Sequence, residues 1–245
     1  MKENIKLFIE KDYEAASQKA CELFVNRLKS YPSGVFGFAT GSTPIGLYKA
    51  LVKLSEESKI DLTRITAFNL DEYFPIKAED PQSYAYFMAE NLFDAVKLPK
   101  ENRNIPSGEA KDPNEECRLY EAKIIKSGGI KLQILGIGLN GHIGFNEPDK
   151  VFSRQVSYTK LADETLRVNS KFFDSMDLVP KYAITMGIHT IMMAEEILLI
   201  VTGESKAEIL KKALNGPITP SVPASALQLH RNVKVIADEE AGKLL

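Results

Sequence analysis

Short apolar segments alternate with helix-like stretches along this chain, and that alternation restricts the folds open to it more than any other feature. Ile5 to Ile9 precedes a helical pattern from about Asp12 to Ser30, Val35 to Ala39 precedes a helix opening at Pro44, and Ile65 to Leu70 leads toward a helix starting near Ser83. A further helix follows Asp112, where Pro113 suits the first helical position and Glu115, three residues on, resembles the far end of a capping box. Strand patterns recur at Lys131 to Leu135, Tyr182 to Thr185, Ile197 to Thr202 and Val233 to Ala237. Strands this short and apolar offer no face to water, so they belong in a mostly parallel sheet with helices on both faces. No Pro/Ser-rich linker, low-complexity tract or internal repeat divides the 245 residues, and one α/β domain spanning 1–245 is the expected organisation. In such sheets ligands bind beyond the carboxyl ends of the strands.

Charge and hydropathy narrow the partners. The 31 Lys and Arg and 33 Asp and Glu are scattered, the net charge is −2 and the pI is near 6.0, so no basic face is expected for nucleic acid. The strongest apolar segment, Ile197 to Val201, is far too short to cross a bilayer, and charges interrupt the apolar stretch of the N-terminal MKENIKLFIEKDYE. The expectation is a cytoplasmic protein without a membrane partner. Cys21 and Cys117 fall in separate helical patterns, spaced neither as a metal knuckle nor as a redox pair, which fits packing roles in a reducing compartment.

The chemistry concentrates where strand patterns end. Gly136 to Pro148 reads GIGLNGHIGFNEP directly after Leu132, Ile134 and Leu135, and its glycines permit turns that side chains forbid. His142 sits inside this segment, with Asn140 two residues before it and Glu147 five after, an amide and a carboxylate suited to orienting an imidazole for proton transfer. A loop histidine that merely caps a carbonyl is the bland alternative; the glycines and the two orienting groups weigh against it. After Val35 to Ala39, Thr40-Gly41-Ser42-Thr43-Pro44 opens a helix through Leu47, Leu51 and Leu54. Three hydroxyls, a glycine for close approach and the free amides of a helix start suit a phosphate, although an ordinary helix cap explains Ser and Thr here equally well. The segment is neither a Walker loop nor a GxGxxG fingerprint.

Thr202-Gly203-Glu204-Ser205-Lys206 repeats the arrangement, and Lys206 opposes the dipole of the helix it precedes, a conflict that a bound anion would remove. Phe68-Asn69-Leu70-Asp71-Glu72-Tyr73 brings adjacent carboxylates to a strand end: Asp71, directly after the strand, is the expected base, and Glu72 is expected to face solvent. Without closely spaced ligand pairs, no catalytic metal is expected. Phosphate anchors, a carboxylate base and a histidine shuttle suit proton transfer on a sugar phosphate, with the imidazole opening a pyranose ring and the carboxylate taking the proton alpha to the exposed carbonyl.

These residues closely resemble the glucosamine-6-phosphate deaminase family. The matching segments are ATGSTP at Ala39 to Pro44, FNLDEYF at Phe68 to Phe74, PQSYAYFM at Pro81 to Met88, GLNGHIGFNEP at Gly138 to Pro148 and VTGESKA at Val201 to Ala207, in family order across nearly the whole chain. The resemblance implies a Rossmann-like sheet of the deaminase/phosphogluconolactonase type, and conversion of glucosamine 6-phosphate and water to fructose 6-phosphate and ammonia without a cofactor. It implies Asp71 as enolisation base, His142 as ring-opening acid/base, Asn140 and Glu147 as its partners, and Thr40, Gly41, Ser42, Thr43 and Lys206 as the phosphate holders.

Two positions depart from the family pattern. Asn140 stands where many relatives have aspartate, which leaves more of the imidazole's support to Glu147, and Lys171 stands where a phosphate-contacting arginine is usual. Lysine cannot reproduce the bidentate fork, so Lys206 is the stronger expected anchor. His189 and His230 match no catalytic slot. Allosteric relatives carry a longer C-terminal segment, so hyperbolic kinetics without activation are expected; the family's mixture of monomers and larger assemblies leaves the oligomeric state open. Two alternatives stand beside this reading. A 6-phosphogluconolactonase shares the phosphate loop and the Gly-Xaa-Gly-Xaa-Xaa-Gly-His segment but continues Ser-Leu-Phe-Pro, where this chain has Phe145-Asn146-Glu147-Pro148. A sugar-phosphate-sensing regulator would carry a DNA-binding part and often lacks the catalytic acids.

Overall fold

The computed structural model of the protein describes residues 4–173, 175 and 178–245. Its first half runs β1 (Ile5–Glu10), α1 (Tyr13–Ser30), β2 (Val35–Phe38), α2 (Ile45–Glu56), β3 (Thr66–Asn69), β4 (Asp71–Phe74), α3 (Tyr84–Met88), β5 (Arg103–Asn104) and α4 (Pro113–Lys126). The second half runs β6 (Leu132–Leu135), β7 (Ser157–Lys160), α5 (Asp163–Asn169), β8 (Tyr182–Thr185), α6 (Ile188–Met192), β9 (Ile197–Val201), α7 (Ala207–Asn215), β10 (Val233–Asp238) and α8 (Glu239–Gly242). None of the described helices is long and apolar enough to cross a membrane.

Local chemistry accounts for several boundaries. The Asp12 carboxylate accepts from Ala15 N at 2.8 Å to start α1, which buries Ala16, Ala20, Phe24 and Leu28 as one stripe at four-residue spacing. Pro113 opens α4 as expected, with Asp112 accepting from Asn114 N at 2.9 Å. The capping box is not completed: Glu115 pairs with Arg118 on the exposed surface, an i,i+3 contact that competes with the reach back to the cap. Cys21 and Cys117 are both buried packing residues.

Seven strands form one parallel sheet in the order β1-β10-β9-β6-β2-β3-β5, and β2, β6 and β9 are buried along their whole length. Phe24 packs on Phe36 with ring centroids 5.0 Å apart, and Phe38 meets Phe93 edge-on at 5.7 Å, so aromatic contacts cross from sheet to helices. After β2 the chain continues to β3 on one side, whereas after β6 it continues to β9 on the other. The neighbours β2 and β6 therefore flank the point where the winding reverses, which opens a crevice at their carboxyl ends.

The expected strand at Tyr182 to Thr185 exists but does not join this sheet. It is the centre of a separate antiparallel sheet, β4-β8-β7, with Asp71 and Ser157 both paired to Thr185. Its partner β7 is partly exposed and reads Ser-Tyr-Thr-Lys, a sequence without the apolar run that betrays a central strand. The expected strand through Leu70 also divides. Leu70 donates its amide to Phe38 O at 2.8 Å and its carbonyl accepts from Met186 N at 2.9 Å, so this one buried residue joins the two sheets and Asp71 begins the second.

Candidate active site

A cavity of ≈ 240 Å³ lies in the crevice, and the loops after β2, β3, β6 and β9 all reach it. It gathers Thr40, Gly41, Ser42, Thr43, Lys171 and Lys206 with Asp71, Asn140 and His142. Glu147 stands just behind its wall, in contact with the last two.

The hydroxyl-rich loop owes its shape to Gly41, whose φ of 95° lies in the left-handed region, rather than to crowding, since no atom lies within 4 Å of where its β-carbon would be. Tyr13 braces the loop: its hydroxyl donates to Ser42 O at 3.1 Å and accepts from Gly46 N at 2.8 Å. Nothing in the local pattern around Tyr13, on α1, marks that role.

Lys206 ends a short turn ahead of α7, but its side chain leaves the helix start and Nζ donates to Ile137 O at 2.7 Å on the loop after β6. Burial draws the ammonium below its ordinary pKa, Glu164 opposes that shift and Lys171 adds to it. Two cations thus share one corner with the hydroxyl loop, an electrostatic arrangement suited to an anion. The conflict with the helix dipole inferred from sequence is relieved by this reach away from α7.

Asp71, also in the cavity wall, opens β4 and is 5% exposed. Burial first, and the neighbouring Glu72 second, push its carboxyl well above the ordinary range, where a carboxylate becomes a stronger base. Glu72 corrects the expectation of a solvent-facing side chain. It is buried, its two oxygens accept from the amides of Tyr73, Tyr84 and Ala85 at 2.8–2.9 Å, and burial outweighs those donors to push its pKa up to about 7. It serves as the acceptor for the first amides of α3, and so fixes Tyr84. The Tyr84 ring lines the cavity, stacks on Phe145 at 6.0 Å and packs against Tyr73 with ring centroids 4.8 Å apart. Tyr84 lies within the PQSYAYFM segment, which was the only signal pointing to it.

Of the four glycines before and after His142, only Gly141 and Gly144 use positive φ. Gly138 answers a different need, because the imidazole of His142 packs directly against it. Asn140 does not hold the ring. Its Oδ1 accepts from His142 N at 3.2 Å and its Nδ2 donates to Glu147 Oε2 at 2.8 Å. Among the described carboxylates, Glu147 is the one that stands beside the imidazole, with Oε2 3.3 Å from Nδ1 but outside hydrogen-bond alignment. Burial works against the Glu147 anion, yet His142, Thr165 and Asn140 prevail and pull its carboxyl down to about 2. An ionised carboxylate at this distance is placed to orient the ring. His230 is buried elsewhere, bonded to Ala194 O at 2.8 Å and Asn232 N at 3.0 Å. Among the described residues, no three His, Cys, Asp or Glu side chains gather as a metal-binding group.

Comparison with known proteins gives this geometry a context. Residues 11–236 match the family model described as glucosamine-6-phosphate isomerases/6-phosphogluconolactonase. The chain is 46% identical over 241 residues to a glucosamine-6-phosphate deaminase of Thermoanaerobacter sp. (strain X514), covering 98% of this chain and 95% of the relative. It is likewise 46% identical to one of Clostridium perfringens (strain SM101 / Type A), covering 98% and 100%. The solved structure of a monomeric glucosamine-6-phosphate deaminase superposes with a TM-score of 0.95 at 41% identity, covering 98% of this chain and all of that one. A 6-phosphogluconolactonase from Trypanosoma cruzi has the same fold at 20% identity, with a TM-score of 0.77 over 100% and 98% of the two chains.

Proposed function

The chain belongs to the glucosamine-6-phosphate isomerase/6-phosphogluconolactonase family, and from that premise we propose that it converts glucosamine 6-phosphate and water into fructose 6-phosphate and ammonia. One observation carries this choice within the family: the imidazole of His142, backed by the Glu147 carboxylate, shares a cavity with the buried carboxyl of Asp71. A ring-opening acid/base and a separate carbon base are what aldose–ketose isomerisation needs, whereas lactone hydrolysis needs no carbon base.

His142 moves a proton from the anomeric hydroxyl to the ring oxygen, which breaks the C1–O5 bond and exposes an aldehyde. Asp71 then takes the proton from C2, and the electron pair shifts through C1 to its oxygen to give an enolamine. Return of a proton to C1 leaves an imine at C2; water adds there and ammonia departs. One water enters and one ammonia leaves while protons are exchanged, so the sequence balances without a redox partner. Thr40, Gly41, Ser42, Thr43, Lys206 and Lys171 hold the phosphate, and three charge-assisted contacts at the upper end of about 1.5–3 kcal/mol each match the roughly 8 kcal/mol of micromolar affinity.

The test is release of ammonia and fructose 6-phosphate from glucosamine 6-phosphate, with 6-phosphogluconolactone run in parallel. Turnover of the amino sugar and not of the lactone is expected; the reverse preference would overturn the reading.

A further inference from the structure

The two oxygens of the Glu147 carboxylate are held from opposite sides. Oε2 accepts from Asn140 Nδ2 at 2.8 Å and faces His142 Nδ1 at 3.3 Å, whereas Oε1 accepts from the Thr165 hydroxyl at 2.5 Å and from Ala162 N at 3.4 Å. One oxygen is committed to the glycine-rich loop after β6 and the other to the start of α5. Thr165 is 4% exposed. Its helix also supplies Glu164, Val168 and Asn169 to the cavity wall, with Lys171 immediately beyond. On its far side Glu147 borders a second cavity of ≈ 530 Å³ toward Pro148, Tyr158 and Pro220. Without the Thr165 hydroxyl, Oε1 would keep only the long 3.4 Å bond from Ala162 N while Oε2 stays on Asn140, which leaves the carboxylate freer to rotate toward that space.

We propose that Thr165 is a positioning residue whose hydroxyl fixes the rotation of the Glu147 carboxylate and so keeps Oε2 against His142. This rests on the reading of the cavity as a deaminase site. It makes ring opening depend on how α5 is seated, and α5 leads directly into the turn that carries Lys171 to the phosphate corner.

Thr165→Val retains the branched shape and removes the donor, while Thr165→Ser retains the donor. For Thr165→Val, kcat on glucosamine 6-phosphate is expected to fall about tenfold or more, the effect of losing one hydrogen bond to a charged group, with KM within about twofold. Thr165→Ser is expected to recover most of the loss, and Thr165→Val is expected to add nothing in a Glu147→Gln background. An unchanged kcat, a change confined to KM, or a loss that multiplies in full with that of Glu147→Gln overturns the proposal. A wild-type protein that releases no ammonia overturns the functional reading instead. The same cycle is then read in Tm, where coupled shifts at positions 165 and 147 support the link and additive shifts overturn it.

Discussion

The imidazole of His142 lies so close to the backbone of Gly138 that a β-carbon there would sit 2.3–2.4 Å from three ring atoms. No rotamer adjustment absorbs that overlap while the ring keeps its place beside Glu147. Gly138→Ala is therefore expected to lower kcat about a hundredfold, the usual scale for a displaced acid/base. The Tm of the variant, compared with that of the wild type, serves as the stability control. Equal Tm values with unequal kcat values would locate the effect in the ring; normal turnover by Gly138→Ala would show that the ring has another productive position.

His142→Gln is expected to impair the cyclic substrate far more than an open-chain analogue, since its assigned step precedes carbon deprotonation. Rates on both substrates, compared with wild type, test this. Equal losses would move His142 to a later step.

Asp71→Asn removes the base and keeps the shape, so kcat is expected to fall at least about a hundredfold with KM little changed. Stability is expected to move the other way. The carboxyls of Asp71 and Glu72 both have folded pKa values above their unfolded ones, so the folded state holds protons that the unfolded chain releases. Their contribution is complete below the unfolded pKa values and is lost as pH rises through the folded ones, near 7 for Glu72. Asp71→Asn is thus expected to raise Tm at pH 7 by about 2–4 °C for each kcal/mol relieved and to have little effect at pH 3. In the wild type, kcat is expected to decline as pH falls through a midpoint above the ordinary carboxylate range. Melting curves and rate profiles across pH check both signs.

Lys206→Ala is expected to raise KM for glucosamine 6-phosphate about tenfold to a hundredfold, the loss of one charge-assisted contact, and to leave the rate on unphosphorylated glucosamine, itself expected to be poor, unchanged. Inhibition by inorganic phosphate offers an independent measure, and its inhibition constant is expected to rise in parallel. An unaltered phosphate dependence would remove Lys206 from the anchor.

The sequence by itself determined the alternation of strands and helices, the parallel character of the central sheet and the loops that bear Thr40, Asp71, His142 and Lys206. Each of these signals is local: an apolar run, a glycine-hydroxyl turn, or a charge beside a helix start, all read within a few residues. Only the tertiary structure decided how those loops meet. Leu70 turns the chain from one sheet into another, which makes Asp71 the first residue of an antiparallel strand and buries Glu72 against the amides of Tyr84 and Ala85. Lys206 reaches Ile137 across 69 residues of chain, and Thr165 meets Glu147 across 18. Such contacts follow from the order β9-β6-β2-β3, which brings the carboxyl ends of strands distant in sequence to one crevice. Periodicity along a segment records which face of it is buried, and carries no information about which strand will lie beside it.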